Sequence, residues 1–310
     1  MFARIGVAVL VLLLTGGMIL TGSSQTSRPT PNLAVEHNVA IETGQATRQP
    51  HEQMISGGVL DDVRHTREAS TDDSESLTRG ATLSVPDNVR IRTAGCSTVF
   101  RGAFDNVRVN QDCSFRVHAE EIIVVDPHDP DHLVAAQNDR RLGVNHCSIA
   151  FSFDRGRHWG DLTPPFWEFP SPGARKFDHA SDPALAMDSR SNTYFTCVIF
   201  NDPGPESGIL VTKSNADFGG SFFHSPVPGP TQRFRTLPLG VVVNTNTPLL
   251  FHDKEFIFSD ANPASPKRDN VYVTWTRFRF GCPTADDYCE SPIFFSQSTD
   301  GGATWSPPGG

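Results

Sequence analysis

Three short apolar runs in this chain each open on acidic or basic residues, and those openings are where chemistry is expected. Glu120 and Glu121 precede Ile122–Val125, Asp182 precedes Pro183–Met187, and Asp253, Lys254 and Glu255 precede Phe256–Ser259. Each run closes on an aspartate, Asp126, Asp188 and Asp260, at intervals of 62 and 72 positions. Carboxylates gathered from several such runs can hold a cation, polarise water or accept hydrogen bonds from sugar hydroxyls. Like charges raise one another's pKa, so a gathered set requires a compensating partner, and Lys254 is the local candidate.

The elements that must position these residues also repeat. A second apolar run follows each first one, at 132–136, 193–200 and 270–276, and a third leads into a hairpin. Ser152, Asp154, Gly156 and Trp159 spell S-x-D-x-G-x-x-W, as do Ser298, Asp300, Gly302 and Trp305. A weaker copy keeps Asp217 and Gly219 and has Phe222 at the aromatic place. In such a turn the carboxylate accepts backbone N–H bonds, glycine takes positive φ, and the aromatic gives the hairpin a large group to bury. Three repeats of several strands, joined by polar Gly/Pro-rich connections and without helical periodicity, predict consecutive four-stranded blades of a β-propeller. The three turn aspartates are expected in equivalent turns, and both tryptophans buried.

The S-x-D-x-G-x-x-W hairpin resembles the Asp box, or BNR repeat, of the sialidase superfamily. The phrases Asp126-Pro127…Pro130…His132-Leu133-Val134-Ala135-Ala136 and Asn270-Val271-Tyr272-Val273-Thr274-Trp275 are similar to strands of its bacterial exported members. The resemblance covers about residues 105–305 and implies an all-β, six-bladed, sialidase-type propeller, of which residues 86–310 hold about three blades, open at the C-terminal end. It implies extracellular glycans or glycoproteins as partners, which the protein binds or, as a sialidase-like glycoside hydrolase, cleaves. The alternative is a non-catalytic propeller serving adhesion or surface assembly. A partner chain is one way to complete the ring. In the superfamily the Asp box is a structural turn remote from the active site. The family's arginine clamp has only a faint echo in Arg90-Ile91-Arg92, and Tyr194, Tyr272 and Tyr288 lack the placement of its nucleophile. No catalytic residue is therefore carried over, and the candidate substrate-binding residues are Glu120, Glu121, Asp182, Asp253, Lys254 and Glu255.

Arg4 followed by the apolar run 5–20 and the small residues 21–24 has the layout of a signal peptide over residues 1–24, implying a secreted or cell-envelope protein. Residues 25–85, polar and poor in aromatics, read as a disordered linker or pro-region. The net charge of -9 argues against nucleic acid, and the absence of a polybasic cluster argues against anionic membranes. Six cysteines in an exported chain permit disulfides. Cys282–Cys289 is the first expected bridge and Cys96–Cys113 the second, while Cys147 and Cys197 either pair or remain buried thiols. The turn Asp126–His132 has the residue types of a metal site but two prolines and no ligand spacing, so no metal is assigned. No cofactor is expected, and a calcium ion has no specific motif behind it.

Overall fold

The computed structural model describes residues 29–71, 107–112, 116–164, 177–223, 240–284 and 287–307. The expected signal peptide, residues 86–106, Cys96 and Cys113 lie outside these residues.

The described residues build three four-stranded antiparallel sheets. The first contains β1 (His118–Val125), β2 (Leu133–Asp139), β3 (His146–Ser152) and β4 (Gly160–Leu162) in that order. The second contains β5 (His179–Met187), β6 (Thr193–Phe200), β7 (Glu206–Ser214) and β8 (Gly240–Asn246), also in order. In the third, β10 (Val271–Phe280) pairs with β9 (Leu250–Ser259), β12 (Ile293–Ser298) and, at its end, β11 (Tyr288–Glu290). These are three blades of a propeller, and β1, β5 and β9 line the channel. β6, in the middle of the middle blade, is buried along its whole length, and its run Thr-Tyr-Phe-Thr-Cys-Val-Ile-Phe suits a strand packed on both faces.

Equivalent positions in the three inner strands reveal the two faces of a blade. Leu185, Met187 and Ile257 are buried against the preceding blade, at 2%, 7% and 1% exposure. Their counterparts in the first blade, Ile123 and Val125, are 55% and 53% exposed. On the opposite face Ala184 and Ala186 are buried, whereas Phe256 and Phe258 of the third blade are 58% and 61% exposed. The same sequence position is core where a neighbouring blade is present and surface where none is among the described residues.

Residues 29–71 correct the linker expectation. They contain α1 (Leu33–Glu42) and α2 (Gly57–Thr71), both docked on the sheets. Ala34, Val35, Ile55, Val59, Leu60 and Val63 are buried in one cluster with Ala184, Phe200, Phe251 and Phe278. Asn32 caps α1 through Ala34 N–H (3.0 Å) and reaches Leu250 O (2.7 Å). Arg67 binds Asp202 (2.5 Å) and Glu36 (2.6 Å), and Asp62 meets His179 at 2.5 Å. The apolar residues here are few, but nearly all sit on the docked face. Composition averaged over the segment does not register that.

The two full hairpins adopt one geometry. Ser152 Oγ donates to Asp154 and accepts from Gly156 N–H (2.9 Å), and Ser298 Oγ does the same with Asp300 and Gly302 (2.8 Å). Each aspartate accepts a backbone N–H four residues on, from His158 and Thr304, both at 2.9 Å. Each indole N–H donates to the box glycine's carbonyl. Trp305 is buried, but Trp159 is only partly so. The weak copy needs correcting. Gly220 N–H, not Gly219, donates to Ser214 Oγ (3.0 Å), and Phe223, three residues further, is the buried aromatic, while Phe222 is exposed. Two extra residues enter this turn and are taken up by a 3-10 turn over Ala216–Phe218, so Asp217 does not occupy the place of Asp154 and Asp300.

Cys147 of β3 is bonded to Cys197 of β6, joining the first two blades, and Cys282 is bonded to Cys289. Of the two outcomes left open for Cys147 and Cys197, the structure has the bridge. The turn Asp126–His132 is closed by its own groups, with Asp126 accepting from His128 N–H (2.8 Å) and pairing with His132 (2.9 Å).

Candidate functional site

Each inner strand carries the same irregularity partway along it. Glu120-Glu121 face the single residue Gln137, Asp182-Pro183 face Cys197, and Lys254-Glu255 face Trp275, so each pair is a bulge of two residues against one. The first residue of every pair is left-handed, with φ of 56° at Glu120, 58° at Asp182 and 49° at Lys254. For side chains other than glycine this conformation costs about 1–3 kcal/mol, and it turns the side chain out of the strand's alternation. All three are aimed at one point at the channel mouth. Lys254 Nζ lies 3.2 Å from Asp182 Oδ1 and 3.4 Å from Glu120 Oε2.

The neighbours fix the carboxylates further. Asn138, near the end of β2, donates to Glu120 Oε2 (3.0 Å) and accepts from Asp182 N–H (3.0 Å). The start of α2 closes the mouth from above. Ser56 Oγ donates to Asp182 Oδ2 (2.5 Å), Ser56 N–H to Asp253 Oδ2 (2.5 Å), and Gly58 N–H to Glu120 Oε1 (3.1 Å). The positive end of the helix thus faces negative charge. Gly58 permits this approach, since a Cβ there would lie 2.7–2.8 Å from Ser181, Asn138 and Glu120.

Of the six expected residues, Glu120, Asp182, Asp253 and Lys254 meet at the mouth. Glu255 is 3% exposed and lines the same channel cavity of about 920 Å³, and neither of its carboxylate oxygens has a hydrogen-bond partner. Glu121 also borders the cavity but is exposed to solvent. Sequence reasoning missed Ser56, Gly58 and Asn138. The signal that could have found the first two is a serine immediately ahead of a helical apolar stripe at Val59, Leu60 and Val63.

Burial splits the protonation of this group. Asp182 is held well above the usual carboxylate range, by burial first and then by its hydrogen bond with Glu120. Burial also pushes Glu120 up, but the bonds from Asp182 and Lys254 outweigh it and leave Glu120 below its ordinary value. Asp253 is pushed up to about 6 by burial, and Glu255 well above its usual range for the same reason. Neighbouring carboxyls with separated pKa values give one proton donor and one anion in the same site. The tyrosines stand apart from it: Tyr194 is buried and donates to Asp188 (3.0 Å), Tyr272 stacks on Phe295, and Tyr288 bonds Ser291 (2.6 Å). No cluster of three or more metal-ligating side chains occurs among the described residues.

No protein-family model matches this chain, and no curated protein does. Among solved structures it is similar to the Hadza microbial sialidase Hz136 (13% identity, TM-score 0.39, covering 61% of this chain and 36% of that one). It is also similar to a Trypanosoma rangeli sialidase in complex with sialic acid (11% identity, TM-score 0.29, covering 68% and 41%) and to the polysaccharide lyase Uly1 (10% identity, TM-score 0.28, covering 61% and 40%). The chain spans less than half the length of each. At such scores the likeness adds nothing to the assignment of blades, which rests on the order and pairing of the sheets themselves.

Proposed function

We propose that this chain is part of an exported, sialidase-like Asp-box propeller that binds extracellular glycans at its channel mouth. The observation that carries the reading is the repeated left-handed bulge, which sends Glu120, Asp182 and Lys254 from three blades to one point. Backbone strain repeated at equivalent positions is stored where a fixed side-chain direction is needed. The carboxylates accept hydrogen bonds from sugar hydroxyls, and Lys254 balances their charge. Asp182 and Glu120 share a hydrogen bond and one cation, a spacing closer than that between the two carboxyls of a glycoside hydrolase, so the reading is of binding rather than cleavage. Paired disulfides fit the oxidising surroundings of an exported protein.

A glycan array of neutral, amino and acidic sugars tests the reading. The parent is expected to retain a defined subset, and Asp182→Asn with Glu255→Gln to weaken retention at least tenfold with melting temperature unchanged. An array on which nothing is retained, or on which the double variant behaves as the parent, overturns it. The adhesion-scaffold alternative draws on one observation, the closure of the mouth by α2. It gains if partner proteins bind equally well with the mouth mutated.

A further inference from the structure

The first turn of α2 occupies the mouth, and what it offers there is donors only. The backbone N–H groups of Ser56 and Gly58 and the hydroxyl of Ser56 are received by three carboxylates, Asp253, Glu120 and Asp182. Glu120 and Asp182 pair with Lys254, Asp253 receives Ser56 N–H beside them, and Glu255 lines the cavity next to Lys254. The nearby guanidinium of Arg140 is engaged by Asp61 (2.7 Å) and does not offset these carboxyls. Beyond what the helix satisfies, acceptor capacity remains: Asp253 Oδ1 and both oxygens of Glu255 are buried without a partner, and Glu255 borders the open cavity. A buried carboxyl oxygen with no donor is unfavourable until one arrives.

Resting on the glycan-binding reading, we propose that the mouth is selective for sugars bearing a free amine, hexosamines of the glucosamine type, and that the start of α2 holds the mouth in their absence as a tethered substitute. An ammonium and its neighbouring hydroxyls supply the donors that Asp253 and Glu255 lack, and they replace those now given by Ser56 and Gly58. An acidic sugar brings a further carboxylate towards the anionic Glu120, whose charge Lys254 already balances, and meets no second cation there.

The test compares binding of glucosamine, N-acetylglucosamine and galacturonate tetramers to the parent, Gly58→Ala and Ser56→Ala, with hydrogen exchange over residues 57–66 reporting engagement of the helix. Gly58→Ala puts a methyl group 2.7–2.8 Å from the side-chain ends of Ser181, Asn138 and Glu120, so those side chains or the first turn must give way and the hydrogen bonds between them loosen, and Ser56→Ala is the milder variant should the first fail to fold. Faster exchange at 57–66 is expected in both, together with at least tenfold tighter binding of the glucosamine tetramer. That binding weakens with salt. The expected order is glucosamine over N-acetylglucosamine over galacturonate, and Glu255→Gln abolishes the preference. Galacturonate bound as tightly as glucosamine, or neutral sugars bound best, overturns this proposal and leaves glycan binding standing. An opened helix with no tetramer bound, alongside an empty glycan array, removes both.

Discussion

At the scale of single residues, the mouth is a problem of buried charge solved partly by protonation and partly by donors. Asp253 holds its proton up to about pH 6, whereas the same group in the unfolded chain releases it near pH 3.8. Between those values the folded state binds more protons than the unfolded one, so this residue makes stability fall as pH rises through the window, by roughly 2 to 3 kcal/mol in all. Asp182 and Glu255, also raised by burial, act in the same direction. Asp139 acts in the opposite one. Its burial is outweighed by bonds from His118 and Arg141, which bring it down to about 2, so the stability it contributes is lost on acidification towards that value. Asp253→Asn keeps an oxygen for Ser56 N–H while removing the titration. Urea unfolding at pH 4, 5, 6 and 7 is expected to show a shallower decline in the variant than in the parent. Parallel profiles contradict the assignment of that slope to Asp253.

At the scale of elements, two kinds of connection hold the arc together. One is covalent: Cys147 on β3 and Cys197 on β6 close a loop with a sequence separation of 50. On the loop-entropy account such a closure stabilises by about 4 kcal/mol. Cys147→Ala with Cys197→Ala is expected to lower the unfolding free energy by that order, read from the guanidinium midpoint under non-reducing conditions. A loss below about 1 kcal/mol places the stability of the blade pair in packing rather than in the bridge. The other connection is α2, which reaches all three blades through Asp62 to His179, Ser56 to Asp182 and Asp253, and Gly58 to Glu120. Its register was not legible in the sequence. Val59, Leu60 and Val63 lie at helical spacing, but three apolar residues in a polar segment do not separate a docked helix from the linker expected there, and nothing local says which surface they cover.

At the scale of the whole molecule, the first and third blades each carry an apolar face that no neighbouring blade covers among the described residues. Ile123 and Val125 on the first and Phe256 and Phe258 on the third stand at positions that are core elsewhere in the chain. Contiguous apolar surface of this kind drives association. The protein is expected to associate with rising concentration in light scattering, and Phe256→Lys with Phe258→Lys to suppress this while leaving the fold intact. An unchanged, concentration-independent mass for both proteins counts against these faces as the adhesive ones.

The sequence by itself determined the strands, their grouping into threes and fours, and the turn chemistry of the two complete hairpins. Each of these depends on local geometry: strand alternation, glycine at positive φ and a carboxylate within reach of its own turn. It also placed Glu120, Asp182 and Lys254 in register, because the repeat interval does so without reference to space. Only the tertiary structure decided that these three meet, since a left-handed bulge is set by pairing across the ladder and not by the bulged residues alone. The tertiary structure also showed that residues read as linker close the mouth, and that Phe223 rather than Phe222 anchors the middle hairpin. In both cases a few apolar side chains gain their burial from partners more than a hundred positions away or, at the hairpin, from the register of one serine hydrogen bond. Composition and spacing carry no record of either.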